Sequence, residues 1–252
     1  MSTSQAQRAD RKPLLLAAAL VLLSQVVYWI AYAFHPESGD PNNHPAIFVV
    51  YANSQGWTAD HVAWFIETGM VIVGALVLLH AVDPGAGMAS LVARIGAVLA
   101  SVSLALTGLR YAVDGVVLKR AVDAWVAAPD AEKAATFAAA QVARWFEEAS
   151  ASYQGFVFGL TLVLLAVVIF WTARAPRPVA LFLALGGIGY VVQGWVLGES
   201  GFAPQGAIPN YFAAFSPLIA ALWLLVAALR MPRQASQRSA QGPANLATET
   251  TG

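Results

Sequence analysis

Residues 152–172, SYQGFVFGLTLVLLAVVIFWT, contain no charged side chain and form the clearest of several long apolar stretches in this 252-residue chain. An α-helix needs about 20 predominantly apolar residues to cross the hydrocarbon core of a bilayer. Five other stretches meet this criterion, so the sequence predicts six transmembrane spans, at residues 13–34, 61–81, 89–109, 152–172, 178–197 and 211–231. The predicted fold class is an all-α polytopic membrane helix bundle.

The composition supports this fold class and excludes several functions. Hydrophobic residues make up 58% of the chain and charged residues only 11%, against about 25% charged in a soluble domain. The formal net charge is zero and no basic run occurs, so a nucleic-acid partner is not expected. Because the chain has no cysteine, it cannot form disulfides, thiolate nucleophiles or iron–sulfur clusters.

The distribution of arginine and lysine predicts the orientation of the bundle, because cytoplasmic loops retain these residues. The loops at 35–60 and 198–210 contain neither residue and are predicted to face outward. Basic residues flank the predicted inner ends of the spans: Arg8, Arg11, Lys12, Arg94, Arg174, Arg177, Arg230, Arg233 and Arg238. The sequence therefore predicts both termini in the cytoplasm, and the excess of arginine over lysine favours a bacterial cytoplasmic membrane.

Both ends of the chain carry a further expectation. The first apolar stretch with its Ala31-Tyr32-Ala33 sequence could be a cleaved signal peptide, but it is longer than a typical signal core, so we favour a retained span. Residues 232–252 are rich in Gln, Ser, Thr and Ala without apolar periodicity. They are predicted to form a disordered cytoplasmic tail.

The third and fourth spans are predicted to continue beyond the membrane as an extracytoplasmic hairpin, at about residues 110–151. Its turn lies at Ala127-Ala128-Pro129-Asp130, with Asp130 as the helix N-cap. Residues at equal height on the two helices then have position numbers that sum to about 257. This rule predicts the facing pairs Asp123–Lys133, Asp114–Arg144, Arg110–Glu147, Thr107–Ser150 and Ser103–Gln154. Deeper in the fourth span, Gly155 and Gly159 have the small-residue spacing that lets helices approach closely.

Ionisable residues near the outer ends of these spans are the candidate site. Glu67 lies six residues after the start of the second span, roughly 9 Å into the membrane at about 1.5 Å per residue. We expect Glu67 and Asp114 to be candidate catalytic acids, in a charge network with Arg110, Arg144 and Glu147. Intramembrane ionisable groups are functional candidates. The alternative is that Glu67 is a structural partner of Arg110.

Three of the four histidines are predicted to share the outer surface. His35 ends the first span, His44 lies in the following loop and His61 begins the second span. Together they are candidate ligands for zinc or copper. Their spacings of nine and seventeen residues match no compact metal motif, so interfacial histidines that make loop hydrogen bonds are the alternative.

The segment YQGFVFGL at residues 153–160, with Arg177-Pro178 before the fifth span, resembles uncharacterised families of small bacterial six-helix membrane proteins. This resemblance implies no known activity and identifies no cofactor.

Three functions remain open. The chain could be a structural or accessory protein that binds a partner at the hairpin. It could be an enzyme that uses an outward-facing carboxyl group on a lipid or isoprenoid, or a metal- or proton-coupled carrier. Membrane lipids are expected partners in each case.

Overall fold

The computed structural model describes residues 9–36 and 39–232, and within these ranges it contains helices, turns and no strand. The helices are α1 (Arg11–Phe34), α2 (His44–Asn53), α3 (Trp57–Val82), α4 (Gly87–Ala112), a π-helix (Val113–Leu118), α5 (Lys119–Ala127), α6 (Lys133–Thr172), α7 (Arg177–Ser200), a short 3-10 helix (Pro204–Gly206) and α8 (Ala207–Leu229). The predicted tail lies outside the described residues except for Pro232, as do Arg8, Arg233 and Arg238.

Six helical segments in the described ranges are long and apolar enough to cross a membrane. They are α1, α3, the continuous segment from α4 through the π-helix to α5, then α6, α7 and the segment Pro204–Leu229. This confirms the predicted all-α six-helix bundle and fits a multi-pass membrane protein. The third and fourth segments have 41 and 40 residues, about twice the length that a bilayer requires, as an extended hairpin predicts.

The main hydrophobic core lies where α1, α3, α4, α6, α7 and α8 meet, with Leu14, Ile72 and Leu165 among its most buried side chains. The closest helix contact is between α6 and α7. A Cβ atom built on Gly159 would lie 2.6 Å from the carbonyl oxygen of Gly187, and one on Gly187 would lie equally close to the Gly159 oxygen. The two backbones therefore approach to a distance that only glycine permits.

A second, smaller core lies beside the hairpin and includes a helix that the sequence analysis treated as loop. Helix α2 begins with a proline in its first turn, where the missing N–H costs nothing. Its Phe48 is fully buried against the hairpin, together with Trp57, Leu118 and Val122. Because α2 packs here, the connection between α1 and α3 is held against the hairpin.

The hairpin turn corrects two sequence predictions. Helix α6 begins at Lys133 and its N-cap is Glu132 rather than Asp130, because residues 129–132 form a turn closed by the Glu132 N to Pro129 O bond. Lys133 donates its ammonium protons to the carbonyls of Val126 and Ala128. Asp123 is paired instead with Lys119, one helical turn away at 2.6 Å.

The deeper pairs follow the predicted register more closely. Arg110 lies 3.7 Å from Glu147, and Gln154 donates a bond to Ser103 at 3.4 Å. Thr107 and Ser150 each donate their hydroxyl to a carbonyl of their own helix, and their facing heights stay a prediction. The predicted Asp114–Arg144 ion pair is wrong, because Asp114 turns toward α3.

Candidate functional site

His61 occupies a buried position in the second turn of α3, with 1% of its surface exposed. Its Nδ1 lies 2.7 Å from the carbonyl oxygen of Trp57, and its Nε2 lies 3.0 Å from a carboxylate oxygen of Asp114. A carbonyl can only accept a hydrogen bond, so Nδ1 carries a proton. If His61 and Asp114 share a second proton, that proton lies between Nε2 and the Asp114 carboxylate. The N–H direction at Nε2 is not well aligned with the carboxylate oxygen.

The π-helix presents Asp114 to His61. In a π-helix the backbone hydrogen bonds span five residues rather than the four of an α-helix. Such turns are rare in proteins as a whole, but they occur frequently at functional sites. Trp57 Nε1 donates to the carbonyl of Asp114 at 2.8 Å, and the Thr58 hydroxyl donates to the carbonyl of Gly115 at 2.9 Å. A Cβ atom on Gly115 would lie only 2.7 Å from the Cβ of His61. The π-helix is therefore fixed to α3 by its carbonyls, and Gly115 permits the close approach.

A second histidine–carboxylate pair adjoins the first. His35, at the end of α1, approaches Asp60 with its Nδ1 2.7 Å from a carboxylate oxygen. The same oxygen lies 4.0 Å from His61 Nδ1. The His35 ring packs against the indole of Trp64, with ring centres 4.5 Å apart. Asp60 is therefore positioned between the two imidazole rings.

Arginine and glutamate side chains of α4 and α6 form the other part of the site. Glu147 is fully buried and receives a hydrogen bond of 3.1 Å from Arg144. The Arg110 guanidinium approaches its second oxygen at 3.7 Å. Arg144 also lies 3.4 Å from Glu148 and stacks over the ring of Phe202. Arg110, Arg144 and Glu147 are thus in contact with one another, and their part in a catalytic network stays a prediction.

The site contains several buried polar atoms that have no hydrogen-bond partner in the described protein. They are Asp60 Oδ1, His61 Nε2, Arg110 Nε, Asp114 Oδ1, Arg144 Nε and Glu147 Oε1. Buried polar groups are almost always satisfied by protein, ordered water or a ligand. The atoms on His61, Arg110, Arg144 and Glu147 still lie in ion-pair contacts, so the atoms with neither kind of partner are Asp60 Oδ1 and Asp114 Oδ1.

The charges of this network do not balance through arginine alone. Asp60 and Asp114 face His35 and His61, whereas Glu147 and Glu148 face Arg110 and Arg144. A charge in low dielectric is costly unless it is paired. The two aspartates therefore have histidines, rather than arginines, as their nearest charge partners.

Glu67 lies apart from the ion pairs. Its carboxylate accepts a hydrogen bond from Thr68 at 2.9 Å, and the Thr68 hydroxyl also lies 3.3 Å from the Tyr111 hydroxyl. No salt bridge joins Glu67 to Arg110 within the described ranges, because the Arg110 guanidinium turns to Glu147 and lies over the Tyr111 ring. The role of Glu67 as a general acid stays a prediction.

The three histidines proposed as metal ligands are divided by the fold. The rings of His35 and His61 lie 5.7 Å apart, whereas His44 contacts Gln141 at 3.4 Å and stacks on Phe48. Burial, assisted by the nearby Arg144 charge, lowers the pKa of His44 below its usual 6.5. Among the described residues, no group of three or more His, Asp or Glu side chains is arranged to hold a metal ion. The metal site stays a prediction without support from this arrangement.

The sequence analysis missed the contact between His61 and Asp114 and the central place of Asp60. Trp57 and His61 are four residues apart on one helical face, with Asp60 between them, and this spacing was the available signal. The π-helix had no comparable signal, because Val113–Leu118 continues the helical pattern of α4.

An open cavity of about 610 Å³ lies between the middle of α6, the end of α7 and the loop before α2. Its lining includes His44, Trp145, Glu148, Tyr153 and Glu199. Because Glu148 contacts both this cavity and Arg144, the cavity borders the buried network.

Comparisons with known proteins identify a family but no activity. The family described as "Domain of unknown function (DUF4386)" matches residues 15–228, which include all six membrane-length segments except the extreme ends. No curated protein and no solved structure matches the chain.

Proposed function

We propose that this chain, which belongs to the DUF4386 family, is a proton-binding protein of the bacterial cytoplasmic membrane that exchanges a proton with the outer face. The positive-inside distribution of arginine and lysine supports a cytoplasmic location for both termini. With that orientation, the His61–Asp114 pair lies near the outer end of the bundle. An intramembrane ionisable network of this kind is characteristic of proton relays.

The observation that carries the proposal is the double engagement of the His61 ring. Since Nδ1 donates to the Trp57 carbonyl, the pair of Nε2 and Asp114 Oδ2 holds one proton. That proton can reside on Nε2, as imidazolium and carboxylate, or on Oδ2, as imidazole and carboxylic acid. Both forms are neutral overall. Loss of the proton leaves one negative charge on Asp114, which the nearby Arg110 and Arg144 stabilise electrostatically.

Two routes connect this pair to the surface. On one side, Asp60 contacts His35, whose side chain is 15% exposed. On the other side, the Asp114 charge interacts with that of Arg144, which pairs with Glu147 and with Glu148 at the edge of the open cavity. The oxygens of Asp60, Asp114 and Glu147 that lack a hydrogen bond provide acceptors for water molecules that could complete either route.

The direct test is infrared difference spectroscopy of the reconstituted protein between two pH values. The native protein is expected to show a carboxyl protonation change that disappears in Asp114→Asn. Asp123→Asn is the matched control, because Asp123 lies on the same hairpin but is exposed and paired only with Lys119. Both variants must keep native helicity and elution volume before their spectra are compared.

Proteoliposomes with a pH-sensitive dye in the outer solution then test proton exchange with the outer face. Proton uptake that is faster than in empty vesicles, and that falls in Asp114→Asn and His61→Asn but not in Asp123→Asn, supports the proposal. Identical difference spectra for the native protein and Asp114→Asn would overturn it, whatever the flux.

A scaffold or accessory role is the second candidate function. It is favoured by large apolar side chains that stay exposed on α6 beyond the main core, namely Val142, Trp145 and Phe146. Exposed apolar patches often mark contacts with a protein or a membrane. If the chain is a scaffold, cells that carry Glu67→Gln or Asp114→Asn should behave like cells with the native protein. Cells that carry both Trp145→Ser and Phe146→Ser should behave like cells without the protein. The proton-binding role predicts the reverse for Asp114→Asn.

A further inference from the structure

The open cavity between α6, α7 and the loop before α2 has the size of a small-molecule site. Its volume of about 610 Å³ falls in the range of roughly 300–1,000 Å³ that is typical of ligand pockets. One wall is the α6 segment that contains Trp145, Glu148 and Tyr153, and the opposite wall is formed by residues 197–201. The third wall is formed by Asn42 and His44.

Hydrogen bonds between two loops hold the mouth of this cavity in place. The Asn42 side-chain amide donates to the carbonyl of Ser200 at 3.1 Å and accepts from the backbone N–H of Phe202 at 3.0 Å. Between them, Gly201 adopts a positive φ of 63°. A Cβ at Gly201 would lie 2.7 Å from the Asn42 amide oxygen and 3.1 Å from Glu148 Oε1. The loop can therefore pass this close to Glu148 only because it has glycine at this position.

The charge of the lining is negative. Glu148 and Glu199 contribute carboxylates, and the lining contains no lysine or arginine. Glu199 is exposed and forms no salt bridge within residues 9–36 and 39–232. Arg144 lies behind Glu148 and is itself occupied by Glu147 and the Phe202 ring. The two connecting loops, at 35–60 and 198–210, also lack any basic residue.

The aromatic side chains of the lining also favour a positively charged ligand. Trp145 and Tyr153 remain 54% and 65% exposed, so their rings are available to a ligand. A cation over the face of such a ring is attracted to it, more strongly where water is excluded. Carboxylates together with available aromatic faces form the usual environment for a substituted ammonium group.

We infer that this cavity binds an organic ammonium group. The group could belong to a phospholipid headgroup at the membrane surface or to a free amine in solution, since both present the same charge and shape. This site is distinct from the His61–Asp114 pair, and the inference does not rest on proton exchange.

Choline and its uncharged isostere 3,3-dimethylbutan-1-ol provide the first test, because they differ mainly in the positive charge. The full-length protein in phosphatidylglycerol nanodiscs, which supply no ammonium headgroup, is titrated with each by calorimetry. Choline is expected to bind at least about tenfold more tightly than the isostere, a difference of about 1.4 kcal/mol. Glu199→Gln and Trp145→Ala should each weaken choline binding by roughly tenfold. Glu132→Gln, an exposed acid at the hairpin turn, is the matched control and should bind normally.

Native mass spectrometry distinguishes the two sources. Retention of phosphatidylethanolamine over phosphatidylglycerol, lost in Glu199→Gln but not in Glu132→Gln, identifies the lipid headgroup even if free choline does not bind. Choline binding without such retention identifies a free amine. Equal affinity for choline and its isostere, together with no lipid preference, would overturn the inference. Unchanged binding in Glu199→Gln and Trp145→Ala would also overturn it.

Discussion

The two ends of the helix bundle are held together by different physical means. At the apolar end, around Leu165 and the Gly159–Gly187 contact, shape alone brings the helices together. At the charged end, around His61 and Glu147, buried ionisable groups occupy the space between the helices. Lipid-exposed helices gain stability mainly from close packing, whereas buried ion pairs contribute little after desolvation. The comparison indicates that close packing stabilises the apolar end, while the ion pairs of the charged end add little net stability.

Removal of Arg144 should give the largest effect on stability. Arg144→Met leaves the fully buried Glu147 with only the Arg110 contact at 3.7 Å. The loss of one partner from a buried ion pair typically costs about 3–5 kcal/mol. Unfolding in mixed detergent micelles measures this loss. Arg120→Met is the control, because Arg120 is exposed on the same hairpin. Equal stability of the two variants would mean that the charged end contributes no more than the surface does.

A methyl group at the closest point of the apolar end should give the next largest effect. In Gly159→Ala the new Cβ would lie 2.6 Å from the Gly187 carbonyl oxygen, and a backbone atom cannot move aside alone. We expect a loss of about 1–3 kcal/mol by the same unfolding measurement. Gly69→Ala is the control, since its Cβ would meet only the Leu104 side chain at 3.7 Å. A neutral Gly159→Ala would contradict the close packing of α6 on α7.

The same substitution at Gly115 tests how the charged end depends on the π-helix. The added Cβ would lie 2.7 Å from the Cβ of His61. We therefore expect the free energy of unfolding to fall by about 1 kcal/mol, the lower end of the range of about 1–3 kcal/mol for an overpacked core. The proton-dependent infrared signal of Asp114 should change as well. Gly108→Ala, with its nearest neighbour at 3.8 Å, should alter neither property. If Gly115→Ala retained the native signal, Asp114 would not depend on this contact with His61.

The smallest effect concerns His44, which lies outside the membrane-length helices and between the two loops of the cavity. Burial and the Arg144 charge lower the pKa of His44 below its usual 6.5, and Asp40 partly opposes them. As the pH decreases, His44 is therefore protonated at a higher pH in the unfolded chain than in the folded chain. The contribution of His44 to stability consequently falls as the pH decreases below 6.5. His44→Asn should flatten the melting temperature of the detergent-solubilised protein between about pH 7 and pH 5. An unchanged slope would mean that His44 titrates alike in both states.

The sequence predicted some of the cross-helix pairs of the hairpin and not others. The register rule placed Arg110 opposite Glu147 and Ser103 opposite Gln154, because antiparallel helices keep equal heights. It failed for Asp123, which lies one turn from Lys119 and pairs within its own helix. It also failed for Asp114, because the π-helix rotates this residue toward α3.

The amino-acid sequence by itself determined the six membrane-length helices, the long hairpin and the glycine positions that pack α6 against α7, because hydrophobic length and small-residue spacing are properties of short stretches. Only the tertiary structure decided that Asp114 meets His61 rather than Arg144. His61 and Asp114 are 53 positions apart, and their contact depends on the π-helix, on Gly115 and on bonds from Trp57 and Thr58. Side-chain pairing across helices depends on rotation about each helix axis, which apolar periodicity constrains too loosely when nearly every face is hydrophobic.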